Sequence, residues 1–127
     1  MNGIKYLLDT NCILGLLKAT PEVLEMVSRR TLLASECAYS AVTRMELLGY
    51  PGITAAEERL IGDRLSKFTY RAITTEIEDL AIALRRARKV KLPDAIIAAT
   101  AIHHGLELLT FDSALLSIVQ SAPSSEG

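Results

Sequence analysis

Short apolar runs alternate with longer stretches in which apolar residues recur every three or four positions. The first run, Ile4 to Leu8, stops at Asp9, and five apolar-rich residues bounded by turn chemistry predict a buried parallel strand. From Asn11 the segment NCILGLLKAT reads as a helix with Thr10 or Asn11 as its cap. Pro21, with Thr20 before it, predicts a second helix over PEVLEMVSRR. Glu36 to Tyr39 predicts a weaker strand. Ser40 caps a helix over SAVTRMELLGYPG that Gly49 and Pro51 stop, and Thr54 starts another over TAAEERLIGDRLSKF. Thr69 to Ile73 is the third strand, and Thr74 or Thr75 then caps a helix running through ALRRARKV. Pro93 opens PDAIIAATAIHHG, which Gly105 closes, and Leu106 to Thr110 is the fourth strand. Asp112 opens a short helix, DSALLS, and Ile118 to Val119 would form a fifth strand.

Strands alternating with helices predict an α/β fold: a central parallel sheet of about five strands flanked by helices. With 127 residues the expected organisation is one domain over 1–120 and a disordered tail over 121–127. Half of the residues are hydrophobic and 23% are charged, which excludes a disordered chain. The net charge of −1 argues against a general nucleic-acid coating protein, so any nucleic-acid contact must be local. Cys12 and Cys37 make no disulfide framework, and His103 and His104, adjacent on a helix, diverge too far to clamp one metal. The apolar N-terminal stretch is broken by Asp9, Thr10 and Asn11. It matches neither a signal peptide nor a membrane span, and the expected location is the cytoplasm.

In a parallel sheet, ligands bind outside the carboxyl ends of the strands. Two acids fall there, Asp9 after IKYLL and Asp112 after LELLTF. Asp94 follows Pro93 in the first turn of a helix, where free N–H groups favour a carboxylate. Glu46 sits among Met45, Leu47 and Leu48, so it is expected close to the core. Each acid also has a plain structural reading: Asp9 and Asp112 as caps, Asp94 as a favourable helix-start charge, Glu46 as a partner of Arg44. Together they point elsewhere, because four converging carboxylates repel one another unless a cation is bound. All-oxygen donors select a hard ion, Mg²⁺ or Mn²⁺. The chemistry that best fits such a site is phosphodiester hydrolysis.

The segments YLLDTN, SAVTRMELLGY, KLPDAIIAATA and LLTFD, in this order and spanning nearly the whole chain, resemble the PIN-domain ribonucleases. The resemblance is closer to the VapC-type toxins of bacterial toxin–antitoxin pairs. It implies a Mg²⁺- or Mn²⁺-dependent endoribonuclease with Asp9 and Asp94 as direct metal ligands. Glu46 and Asp112 complete the acidic pocket, directly or through water. It also implies that Thr10, Asn11, Ser40 and Thr110 orient the acids, with capping an equal reading for Thr10 and Ser40. The implied partners are an RNA substrate, an antitoxin that inserts a segment into the active-site groove, and a second copy in a homodimer. The stretch after Asp112 departs from the usual family pattern.

ALRRARKVKLP carries Arg85, Arg86, Arg88, Lys89 and Lys91 just before Asp94. On one helix Arg85, Arg88 and Lys89 share a face, which with Lys91 makes them candidate RNA contacts against the plainer reading of a solvated face. Tyr39, Tyr50, Phe68, Tyr70 and Phe111 lie in no RNA-binding signature, so core packing is expected. A receiver domain would need an acidic neighbour for Asp9, and a haloacid-dehalogenase-like phosphatase an Asp where Asn11 stands. The competing class is a non-catalytic partner-binding domain that keeps the fold.

Overall fold

A computed structural model describes residues 3–121. The expected tail lies outside these residues except for Ser121. Four strands form one sheet: β1 (Tyr6–Leu8), β2 (Cys37–Ser40), β3 (Thr69–Arg71) and β4 (Glu107–Leu109). Their order is β3-β2-β1-β4 and every neighbouring pair is parallel. The chain winds outwards from β1 to β3, then crosses back to add β4 on the other side. Winding therefore reverses between β1 and β4, and their carboxyl ends flank the crevice that this topology opens for a ligand.

Seven helices cover the sheet among the described residues: α1 (Thr10–Lys18), α2 (Pro21–Arg30), α3 (Ala41–Leu48), α4 (Ala55–Leu65), α5 (Thr75–Ala87), α6 (Leu92–His104) and α7 (Ser113–Gln120). Alternation along each strand feeds two core layers. Leu7, Ala38 and Leu108 pack on one face with Val42, Ile97, Ala98, Leu115 and Ile118. Leu8, Cys37, Tyr39 and Leu109 pack on the other with Cys12, Ile13, Met26, Leu47, Ile61 and Leu65. Helix α6 is the central element of the first layer. Ala95, Ala98, Ala99 and Ala101 are fully buried along it, and such small side chains let neighbouring helices approach closely.

Most helix starts fall where capping chemistry predicts. Thr20, Ser40, Thr54 and Thr74 each accept an N–H from their first turn, and Thr54 with Glu57 forms a reciprocal capping box. Gly105 ends α6 with φ 64°, a conformation that costs glycine little. At α1 the cap is Asp9, not Thr10 or Asn11, because its carboxylate accepts the Thr10 N–H.

Three expectations are corrected. Ile118 and Val119 form no strand; they continue α7. The Asp112 cap starts the helix, and Leu115, Ile118 and Val119 recur with helical spacing, so this β-branched pair buries itself without a sheet partner. Among the described residues the sheet accordingly has four strands where about five were expected, within the same parallel α/β architecture. Arg85, Arg88 and Lys89 do not share a helix face either. Helix α5 ends at Ala87, and Arg88 is extended at φ −146°, ψ 157°. The Arg85 guanidinium turns back to the Val90 carbonyl and Arg88 bonds the Ser121 hydroxyl. Among the aromatics, Tyr39 is buried as expected, whereas Tyr50, Tyr70 and Phe111 are exposed. No helix among the described residues is long and apolar enough to cross a membrane.

Candidate active site

Asp9, Glu46, Asp94 and Asp112 line one cleft of about 670 Å³ above the β1–β4 crevice. Asp9 comes from the end of β1 and Asp112 from the turn after β4. Asp94 lies in the first turn of α6, and Glu46 on the last turns of α3. Four elements distant in sequence thus deliver one carboxylate each.

The acids are held differently. Asp9 is only 7% exposed and fully engaged. Its Oδ1 accepts the Thr10 N–H at 2.8 Å and its Oδ2 accepts the Thr110 hydroxyl at 2.7 Å. The Thr110 oxygen in turn accepts the Asp112 N–H at 3.0 Å, which ties together the two strand ends. Asp112 spends Oδ1 on the Ala114 and Leu115 N–H groups as the α7 cap. Glu46 is exposed, contrary to the expectation of a site close to the core. The apolar residues beside it in sequence point elsewhere on α3, and its Oε1 is tethered by the Thr10 hydroxyl at 2.7 Å.

Asp94 registers the combined field. Its pKa is raised from the ordinary carboxylate value, first by burial, then by the negative charges of Asp112 and Asp9, with a smaller push from Glu46. Lys91 pulls in the opposite direction. All three other acids are therefore close enough for Asp94 to feel them. Among the described residues, no three acids, histidines or cysteines close into a cage of metal ligands. A hard divalent cation such as Mg²⁺ needs only one or two carboxylates and keeps most of its waters, so this donor set fits an open, water-rich site.

The remaining expected residues divide. Thr10 and Asn11 line the cleft. Thr110 stands behind it, bonded to Asp9. Ser40 is fully buried and caps α3, accepting the Thr43 N–H at 3.2 Å, and it does not line the cleft. Sequence reasoning missed two residues. Lys18 lines the cleft on the same helix face as Asn11 and Leu14, a spacing of three and four that was available to read. Thr43, fully buried, bonds Thr10 across 33 positions of sequence. Its only local signal is that it lies three residues before Glu46.

Leu14, Leu17, Leu47, Ile53, Leu60 and Ile61 give the cleft an apolar wall, with Tyr50 exposed among them and Glu57, whose carboxylate accepts the Thr54 N–H, also lining it. Cys12 lies below, its thiol donating to the Leu109 carbonyl, and burial pushes its pKa up to about 12, so it stays a neutral packing group.

The chain matches the model of the PIN domain over residues 6–119. A toxin–antitoxin complex from Klebsiella pneumoniae contains a similar chain, 34% identical, with a TM-score of 0.73 over 86% of this chain and 88% of that one. A chain of DNA-bound VapBC from Salmonella typhimurium is 27% identical, with a TM-score of 0.64 over 81% and 83%. A chain of FitAcB from Neisseria gonorrhoeae shares the fold at 23% identity and a TM-score of 0.72, over 94% and 96%. No curated protein matches the chain in sequence. The match across nearly all of the described residues, on a parallel sheet with acids gathered at its carboxyl edge, shows that the chain belongs to the PIN-domain family.

Proposed function

We propose that this chain is a metal-dependent endoribonuclease that acts as the toxin of a type II toxin–antitoxin pair. The observation that carries this reading is the gathering of Asp9, Glu46, Asp94 and Asp112 into one cleft, with Asp94 raised in pKa by burial and then by the charges of the other three. Asp9 and Asp94 hold Mg²⁺ or Mn²⁺, and Glu46 and Asp112 complete the site directly or through water. When bound, such a cation lowers the pKa of a coordinated water and neutralises charge on the phosphodiester. The residues of the chain do the rest. Asp9 is locked by Thr10 and Thr110, so one acid keeps a fixed position. Glu46 faces solvent with one oxygen tethered, which leaves the other to accept a proton or orient water. Lys91, already felt by Asp94, attracts the backbone of RNA entering the cleft.

The named systems among the similar structures, together with the apolar wall beside the acids, support an antitoxin partner whose apolar segment covers this cleft. A second copy fits the groove between α5 and the start of α6. Ile82 and Leu92 are exposed there beside Ile73 and Ile96, with Glu78, Arg85 and Arg86 at the rim. A patch carrying both signs of charge can meet its own twofold copy.

The test is cleavage of labelled RNA with and without Mn²⁺, beside Asp9→Asn and Asp94→Asn. Cleavage by the unaltered chain alone, abolished by EDTA, is expected. Cleavage that persists in EDTA or in both variants would sink the mechanism. Intact antitoxin binding with no cleavage of any cellular RNA would assign the chain to a non-catalytic partner-binding role.

A further inference from the structure

Glu46 presents an oddity: an exposed glutamate on a helix surface that is nonetheless held at one oxygen. The holder, Thr10, is itself held. Its Oγ1 lies 2.9 Å from the Oγ1 of Thr43, which is fully buried and lies 3.4 Å from the Oγ of Ser40. Each hydroxyl has one proton to give. An ionised Glu46 can only accept, so Thr10 must donate to it. Thr10 then has no proton left for Thr43, so Thr43 must donate to Thr10. Thr43 in turn is left to accept from Ser40. The chain of hydroxyls therefore has one direction, from the core outwards, and it ends on a carboxylate.

We propose that Thr43 is a positioning residue that fixes the Glu46 carboxylate from inside the core. Thr43 suits the role because it cannot turn away. It is enclosed, its β-branched side chain has few rotamers, and its own N–H is tied to Ser40. It orients the Thr10 hydroxyl, and Thr10 then presents its proton to Glu46. Without Thr43 the Thr10 hydroxyl is free to rotate, and Glu46 becomes an ordinary mobile surface glutamate. Ser40 differs, although it belongs to the same chain. It donates to Thr43 but does not decide which way the Thr43 proton points, so its contribution is to the stability of α3. The purpose assigned to Glu46 rests on the ribonuclease reading; its tether does not.

These roles separate by measurement. In the metal-free protein, three-bond NMR couplings report whether Glu46 occupies one rotamer. One rotamer is expected in the unaltered chain, in Thr43→Ser and in Ser40→Ala, and rotamer averaging in Thr43→Val. Ser40→Ala is expected to melt lower while Glu46 stays ordered. Mn²⁺ affinity without RNA should fall about tenfold in Thr43→Val, the lower end of what outer partners of metal ligands contribute, and recover in Thr43→Ser. Should Thr43→Val not fold, the unaltered chain still decides. The Thr43 and Thr10 hydroxyl protons should exchange slowly, with a cross-peak from the Thr10 proton to Glu46. Unchanged couplings in Thr43→Val, or equal averaging in Ser40→Ala, overturn the proposal, as do hydroxyl protons in fast exchange. An unaltered chain that binds no Mn²⁺ refutes the ribonuclease reading instead, while the couplings still decide the role of Thr43.

Discussion

Thr110 is the best place to test whether hydrogen bonding, rather than a bound cation alone, assembles the acidic cleft. Its hydroxyl donates to Asp9 at 2.7 Å and accepts the Asp112 N–H at 3.0 Å, so one oxygen joins the ends of β1 and β4. Thr110→Val keeps the shape and removes both bonds. A hydrogen bond to a charged group contributes about 1.5–3 kcal/mol net, and a buried group left unpaired costs about 1–3 kcal/mol. Thr110 is only half-buried, so water replaces part of what is lost, and the lower end applies: a loss of about 2 kcal/mol. The assay is urea unfolding in EDTA at neutral pH. With a slope of about 2 kcal/mol per molar, ordinary for a small domain, the midpoint should fall by about 1 M with the slope unchanged. Thr110→Ser, which keeps the hydroxyl, should recover most of that. A midpoint within error of the unaltered chain, or a Ser variant as weak as the Val variant, refutes the reasoning and leaves Thr110 as packing alone.

Three other perturbations have definite signs. Asp94 has a folded-state pKa raised above its ordinary 3.8, so it favours folding below that value, and this contribution is lost as pH rises through the folded value. In EDTA, Asp94→Asn should therefore melt above the unaltered chain at pH 7 and level with it at about pH 3.5, near an ordinary aspartate pKa; millimolar Mn²⁺ should stabilise only the unaltered chain. A gap that is constant with pH would show that repulsion is not the cause. A methyl group at Gly15 would collide with Val23 and press on Thr20, so Gly15→Ala should lose about 1–2 kcal/mol in urea unfolding, overpacking outweighing the gain in helix propensity; the added substitution Val23→Ala should not deepen the loss additively. Ile82→Glu should convert the proposed dimer to a monomer in sedimentation without lowering the melting temperature of the fold, and a dimer that survives moves the second copy to another face.

The parts of the site legible in sequence are those where an acid interrupts a pattern. Asp9 and Asp112 end apolar runs, and Asp94 follows a helix-opening proline, so each is anomalous within its own segment. Glu46 shows no such interruption, and its surroundings mislead: Leu47 is core while Glu46, one position earlier, is exposed. Thr43 was illegible for a different reason. Its partner Thr10 is brought to it by the β1–β2 pairing and the docking of α1 beside α3, contacts with no local signature. The same limit explains the fifth strand. Ile118 and Val119 have strand propensity that masks their helical spacing from Leu115, and packing against α6 settles the conflict in favour of the helix. The basic segment failed at a boundary. Nothing in RRARKV marks Ala87 as the last helical residue, and one residue of extended backbone at Arg88 scatters the expected face.

Asp9 returns in two roles that looked like alternatives and are both real in the geometry: it caps α1 and it supplies an acid to the cleft. The two can be pulled apart by the choice of substitution. Asparagine is as good a cap as aspartate. In Asp9→Asn the amide oxygen still accepts the Thr10 N–H, and the amide nitrogen can donate to Thr110, whose oxygen has a second lone pair beside the one used by Asp112. The contact with Thr110 is thus kept with its direction reversed, the proton of the half-buried Thr110 hydroxyl turns to water, and the charge is removed. Asp9→Ala removes the cap as well, a loss of about 1 kcal/mol, and leaves Thr110 without its acceptor. The expected outcome is that Asp9→Asn unfolds in urea at or above the midpoint of the unaltered chain in EDTA, since one member of a repelling group is gone, while Asp9→Ala unfolds earlier. Both should lose Mn²⁺-dependent stabilisation. If Asp9→Asn is as unstable as Asp9→Ala, the charge itself holds β1 to α1, and Asp9 is a structural residue first.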